Sequence, residues 1–156
     1  MSVQLITRSL IDALESKASA APRKRINHNF HSGPEDNPHR FLNVILAGSY
    51  VAPHRHRNPA KAETFVVLEG EGCIWTFDDA GAVTAAYRLG PAARDGWGID
   101  LAPGIWHTVA AVSPSIVCFE VKPGPWDPSS DKEFAPWAPR EGDAGAAAYM
   151  QRLLES

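Results

Sequence analysis

The stretch G-S-Y-V-A-P-H-R-H-R-N-P-A-K-A-E-T-F-V-V-L-E-G, Gly48 to Gly70, decides how the rest of the chain reads. His54 and His56 stand two residues apart after an apolar run, and on an extended strand residues i and i+2 face the same way. Both imidazoles can therefore reach one point. Glu63 opens a second apolar run, Thr64 to Leu68, which stops before Gly70. Pairing of the two strands would bring its carboxylate beside the histidines. Imidazole nitrogens and a carboxylate oxygen without thiolate suit zinc, iron, manganese, nickel or cobalt.

Outward from this stretch the chain reads as short strands joined by Gly- and Pro-containing turns. Phe41–Leu46, Ser49–Ala52, Thr64–Leu68, Gly72–Phe77, Val83–Leu89, Trp97–Leu101, Thr108–Val112 and Ser115–Val121 are expected strands. Asp78 to Gly81 is the expected hairpin loop before Val83. Strands without intervening helices imply a sandwich or barrel rather than a βαβ fold. Ser9 to Lys17 has helical spacing, with Ser9 and Asp12 as its expected capping pair, and Asp143 to Leu154 is a second expected helix. Arg25, Asn27, Asn29 and His31 share one face if R-I-N-H-N-F-H is extended. The Pro- and Trp-rich segment after Val121 reads as an ordered strap across the barrel, because a disordered tail seldom carries two tryptophans. Trp75, Val66 and Leu68 are expected in the core, as is Trp106 outside the site.

Composition sets limits. The 156 residues are 44% hydrophobic and 21% charged with net charge −3, which favours one domain and argues against nucleic-acid or anionic-membrane partners. No apolar run is long enough to span a bilayer, and the N-terminus lacks the features of a secretory signal. Cys73 and Cys118 lie in apolar runs without metal or redox spacing, consistent with small core residues in a reducing cytoplasm. The expected localisation is cytoplasmic.

Downstream, G-W-G-I-D-L-A-P-G-I-W-H places Gly104 three residues before His107. With Gly48, His54, His56, Glu63, Gly70 and Gly96 this pattern resembles the two motifs of the cupin superfamily. Three positions depart from it. Six residues separate His56 from Glu63 where three or four are usual, Pro103 falls one place late, and Ala111 replaces the terminal Asn. More narrowly, R-I-N-H-N-F-H, P-G-I-W-H-T and V-K-P-G-P-W with D-K-E-F-A-P-W-A-P-R-E-G resemble the WbuC-type cupin-fold metalloproteins, over residues 23–142.

The resemblance implies an all-β double-stranded β-helix, or jelly-roll barrel, with short flanking helices. One cupin domain would span 1–156: a barrel core of about 40–122, an N-terminal helix and strand in 1–39, and the strap and C-terminal helix in 123–156. It implies a divalent first-row metal on His54, His56, Glu63 and His107, and a link to polysaccharide (O-antigen) biosynthesis. Such an ion, six-coordinate, would keep two positions for a bidentate anion, water or an enediolate. A metal-dependent isomerase, epimerase or oxygenase acting on a sugar or nucleotide-sugar derivative is one expectation. A non-catalytic metal-tethered binding or sensor module, or a cupin braced by its metal, are the others. Fold alone does not choose among them. A small-molecule ligand is the expected partner, and a homodimer is expected by analogy with cupin barrels. His31 is the candidate acid or base, and Asn29, Asn43 and Tyr50 are candidate ligand contacts.

Overall fold

The structure, a computed structural model, describes residues 3–156. It contains α1 (Arg8–Ala20), β1 (Arg25–Asn29), β2 (His39–Leu46), β3 (His54–Arg55), β4 (Glu63–Phe77), β5 (Val83–Leu89), β6 (Gly98–Leu101), β7 (Trp106–Lys122), β8 (Glu133–Phe134) and α2 (Ala146–Leu154). All strand pairs among these elements are antiparallel.

Two long strands organise the sheet. β4 and β7 pair with each other over most of their lengths, and each bends midway at register shifts around Val67–Glu69 and Gly70–Gly72. Beyond the bend each acquires a different outer neighbour. Residues 63–66 of β4 pair with β6 and 72–77 with β5. Residues 115–122 of β7 pair with β2, whereas His107 pairs with His54 of β3. One ribbon thus supplies the middle of two half-sheets, β1-β2-β7-β4-β6 and β8-β3-β7-β4-β5, which curl around a shared interior.

Gly70 makes the bend. Its φ is +79°, and a Cβ there would lie 2.1 Å from the Ser115 carbonyl oxygen. The Ser113 hydroxyl satisfies displaced backbone at this point, accepting from Glu71 N–H at 2.8 Å and donating to Ser115 O at 2.6 Å. The expected turns at Glu69–Glu71 and at Ser113-Pro114 are therefore bulges inside continuous strands. Ser49–Ala52 is likewise not a strand but an extended connector. The expected helices, hairpin and strap are present. The α1 N-cap is Thr7, whose Oγ1 accepts from Leu10 N–H at 3.2 Å, in place of the expected Ser9 pair.

Burial follows the strand period on both faces. Ile45, Phe65, Val67, Ile74, Val109, Ile116 and Cys118 fill the interior. Outside the first half-sheet, Ile11, Leu14 and Ala18 of α1 cover Leu42, Val44 and Val117. Outside the second, Met150 and Leu153 of α2 cover Cys73, Trp75, Phe77 and Trp106. Each large apolar side chain so buried contributes roughly 1.5–3 kcal/mol. Two-sided burial explains the near-continuous apolar run F-L-N-V-I-L. It also corrects the expectation for Val66 and Leu68: Phe65 and Val67 point inward, Val66 is half-buried, and Leu68 is exposed. Both cysteines are buried and unbonded. No described helix is long and apolar enough to cross a membrane.

Candidate metal centre

His54, His56, Glu63 and His107 meet at one point on the inner wall. One ligand atom from each lies within 4.8 Å of the others, and all four residues are buried. His54 and His107 are register partners across β3 and β7. His56 follows on the same face as His54, and Glu63 opens β4. The six-residue spacer forms a closed loop bridged between Arg57 and Ala60, so its extra length leaves Glu63 in place. The Pro103-Gly104 turn hooks under the same loop, with Gly104 N–H donating to His56 O at 3.0 Å.

The donor chemistry fits a cation. The Nδ1 atoms of His54 and His107 lie 2.9 Å from the carbonyls of Ala52 and Ile105, and His56 Nδ1 bonds the Asp131 carbonyl. A carbonyl only accepts, so each Nδ1 carries a proton and each ring turns its Nε2 inward. Two of these nitrogens face Glu63 Oε2, His107 Nε2 at 3.1 Å and His56 Nε2 at 3.2 Å. A proton on the nitrogen or a cation between the atoms satisfies each contact. For bonds of about 2.1 Å, ligand atoms at right angles around an ion are separated by ~3.0 Å, close to these distances. His56 Nε2 is moreover buried without a hydrogen-bond donor or acceptor of standard geometry. Burial holds His54 well below the usual histidine range. Burial works against the charge on Glu63, but His107, His56 and the Lys122 ammonium outweigh it and hold its carboxyl well below the usual range. A divalent ion on these four atoms would supply Lewis acidity to a bound oxygen.

The cluster opens onto a cavity of about 670 Å³, within the range of small-molecule sites. Arg25, Asn27, Asn29 and His31 all line it, as their shared face requires, and so does Asn43. His31 stacks on buried His39 with ring centres 4.0 Å apart, and its Nδ1 accepts from Arg40 N–H at 3.2 Å. Tyr50 departs from expectation. It does not line the cavity; its ring packs against Tyr149 and its hydroxyl donates to Pro139 O at 2.7 Å.

Four charged residues at this site escape sequence reasoning. Glu120 and Lys122 continue the inner face of β7, and Asp131 and Lys132 come from the strap. Asn43 Nδ2 donates to Glu120 Oε1 at 2.7 Å. Burial and the Glu63 carboxylate push Glu120 up to about 8. Asp131 receives Lys61 Nζ at 3.0 Å and Lys122 Nζ at 2.8 Å, and Lys122 Nζ is also 3.8 Å from Glu63. The alternation F-E-V-K was the available signal for Glu120 and Lys122. The strap has no periodicity that could have pointed to the other two.

Comparison with known proteins agrees with this architecture. The capsular polysaccharide assembling protein CapF from Staphylococcus aureus superposes with a TM-score of 0.56 at 21% identity, over 69% of this chain but only 31% of CapF. CapF is also known with the inhibitor 3-isopropenyl-tropolone. The cupin domain of Cnp3 from Schizosaccharomyces pombe superposes at 0.50 with 10% identity, over 65% of each chain. Protein SO0799 from Shewanella oneidensis does so at 0.54 with 13% identity, over 69% of this chain and 72% of its own. At these identities the likeness establishes the fold. No curated protein sequence matches the chain. Residues 6–89, just over half of its length, match the family described as a domain of unknown function, DUF6016, and the chain, folded as a cupin, belongs to that family.

Proposed function

We propose that this chain is a WbuC-type cupin that holds a divalent first-row metal on His54, His56, Glu63 and His107 and acts on a small polar molecule in polysaccharide assembly. The observation that carries the reading is the set of three inward Nε2 atoms around one carboxylate, at the floor of a ligand-sized cavity. The likeness to CapF supports the polysaccharide context. Packing of α1 and α2 on outer faces of the same curled sheet supports one domain over 1–156.

Two cavity side chains suit proton transfer. His31 lies at the mouth, and Glu120 lies deeper, its carboxyl held near the pH at which a catalytic acid or base works best. Asn43 fixes the Glu120 carboxyl, while Asn29 offers a donor to hydroxyl groups of a ligand. A screen of sugar and nucleotide-sugar derivatives should find a ligand that raises the melting temperature of the metal-loaded protein and not of the stripped protein. Turnover of a ligand found this way supports an enzyme, and binding without turnover supports a sensor. Equal shifts in loaded and stripped protein would overturn the metal-dependent reading.

A further inference from the structure

The charged groups lining the cavity are almost all matched. Arg25 pairs with Glu141 at 2.5 Å, and Arg23 reaches the same carboxylate at 3.8 Å. Lys122 is held by Asp131, and Asp131 is shared with Lys61. Lys132 differs. It lines the cavity with His54, Glu63 and His107, yet makes no ion pair or side-chain hydrogen bond among the described residues.

Its position is fixed from both sides. Asp131 is locked by the two lysines, and Glu133 receives Arg55 through a fork of 2.7 and 2.9 Å. β8 itself pairs with β3, placing Glu133 opposite Arg55 and Phe134 opposite His54. The ammonium is thus carried on backbone that cannot easily swing away. Lys132 is exposed at the cavity mouth, and the protein packed around it lowers its pKa. An unpaired ammonium so placed can meet an anionic ligand that enters the cavity.

We propose that Lys132 is the carboxylate-binding residue of this centre and that its ligand is a small hydroxy acid of sugar-acid type. This rests on the metal reading above. A divalent ion outweighs the single charge of Glu63, so the loaded floor and Lys132 together favour a negative group between them. Glu120 and Asn43, hydrogen-bonded to each other on the cavity wall, suit hydroxyl groups. A phosphate would call for several converging donors or an Arg fork, and the arginines at the wall, Arg25 and Arg23, both face Glu141.

Calorimetry on the zinc-loaded protein tests this with D-glucuronate, D-glucose, glycolate and inorganic phosphate, alongside elemental analysis of each sample. Glucuronate or glycolate should bind, glucose should not, and Lys132→Met should weaken binding by about ten- to a hundredfold with zinc content unchanged. Lys132→Arg should recover part of the loss. Several results would overturn the proposal: equal affinity in Lys132→Met, equal binding of glucose, preference for phosphate, or no carboxylate binding by zinc-loaded protein. Carboxylate binding that depends on Lys132 in protein unable to hold zinc would keep the Lys132 assignment and remove the metal reading.

Discussion

Asp131 lends itself to a quantitative test, because one carboxylate joins the strap to the barrel. It is 3% exposed, with one oxygen 3.0 Å from Lys61 Nζ and the other 2.8 Å from Lys122 Nζ. Asp131→Asn keeps the shape and the backbone carbonyl that bonds His56, but removes the charge both ammonium groups face. Lys61 and Lys122 are themselves 4% and 5% exposed. Breaking a buried pair costs about 3–5 kcal/mol, most of it from the stranded charge. The lower end applies, since Asp131 and Lys122 border the cavity and its water solvates them in part. About 3 kcal/mol corresponds to a fall of roughly 6–12 °C in melting temperature at this chain length. Urea titration and thermal melting, both on metal-stripped protein, would measure it. The pH dependence has a definite sign. Burial opposes the Asp131 charge, but Lys122 and then Lys61 prevail and depress its pKa. Its contribution is therefore full above the unfolded value of about 3.9 and fades as pH falls through the lower native value. The variant and the parent should converge in strong acid. A loss below about 1 kcal/mol at pH 7, or a difference that grows in acid, would refute this view of the strap.

Gly70→Ala should destabilise by more than about 3 kcal/mol, combining left-handed backbone strain with the clash at Ser115 O, and its urea midpoint should fall accordingly. A loss under about 1 kcal/mol would mean that the bend tolerates a side chain. Chelating the metal should lower the melting temperature, because an ion present at a thousand times its Kd stabilises the native state by about 4 kcal/mol. An unchanged melt after verified metal removal would contradict tight native-state binding.

The four-residue cluster was legible because its spacing carries geometry. His54 and His56 at i and i+2 must share a face, and Gly104 three residues before His107 marks a turn that returns a strand to them. The bends were not legible. Gly70 and Ser113-Pro114 carry the residues that also make hairpins, and only pairing across β4 and β7 shows that neither strand reverses there. Val66 and Leu68 were misread for a related reason: a strand apolar on both faces leaves its phase open, and the inward set is fixed by Glu63 at the cluster. Tyr50 sits in a connector, where alternation does not hold. Lys61, Asp131 and Lys132 belong to loops and strap, so the Lys61–Asp131 pair and the placing of Lys132 at the cavity depend wholly on the tertiary path of residues 123–135 across the barrel mouth. Glu120 and Lys122 are the intermediate case, being charged residues at inward positions of a strand whose other inward residues are apolar.

The account stands on a metal at the four-residue cluster, and elemental analysis of protein purified without a metal-affinity step addresses that directly. About one first-row divalent ion per chain is expected in the parent, with occupancy strongly reduced in a His107→Ala variant whose circular dichroism remains native. Parent protein that stays metal-free after incubation with zinc, iron, manganese, nickel and cobalt, or full occupancy in His107→Ala, would contradict it.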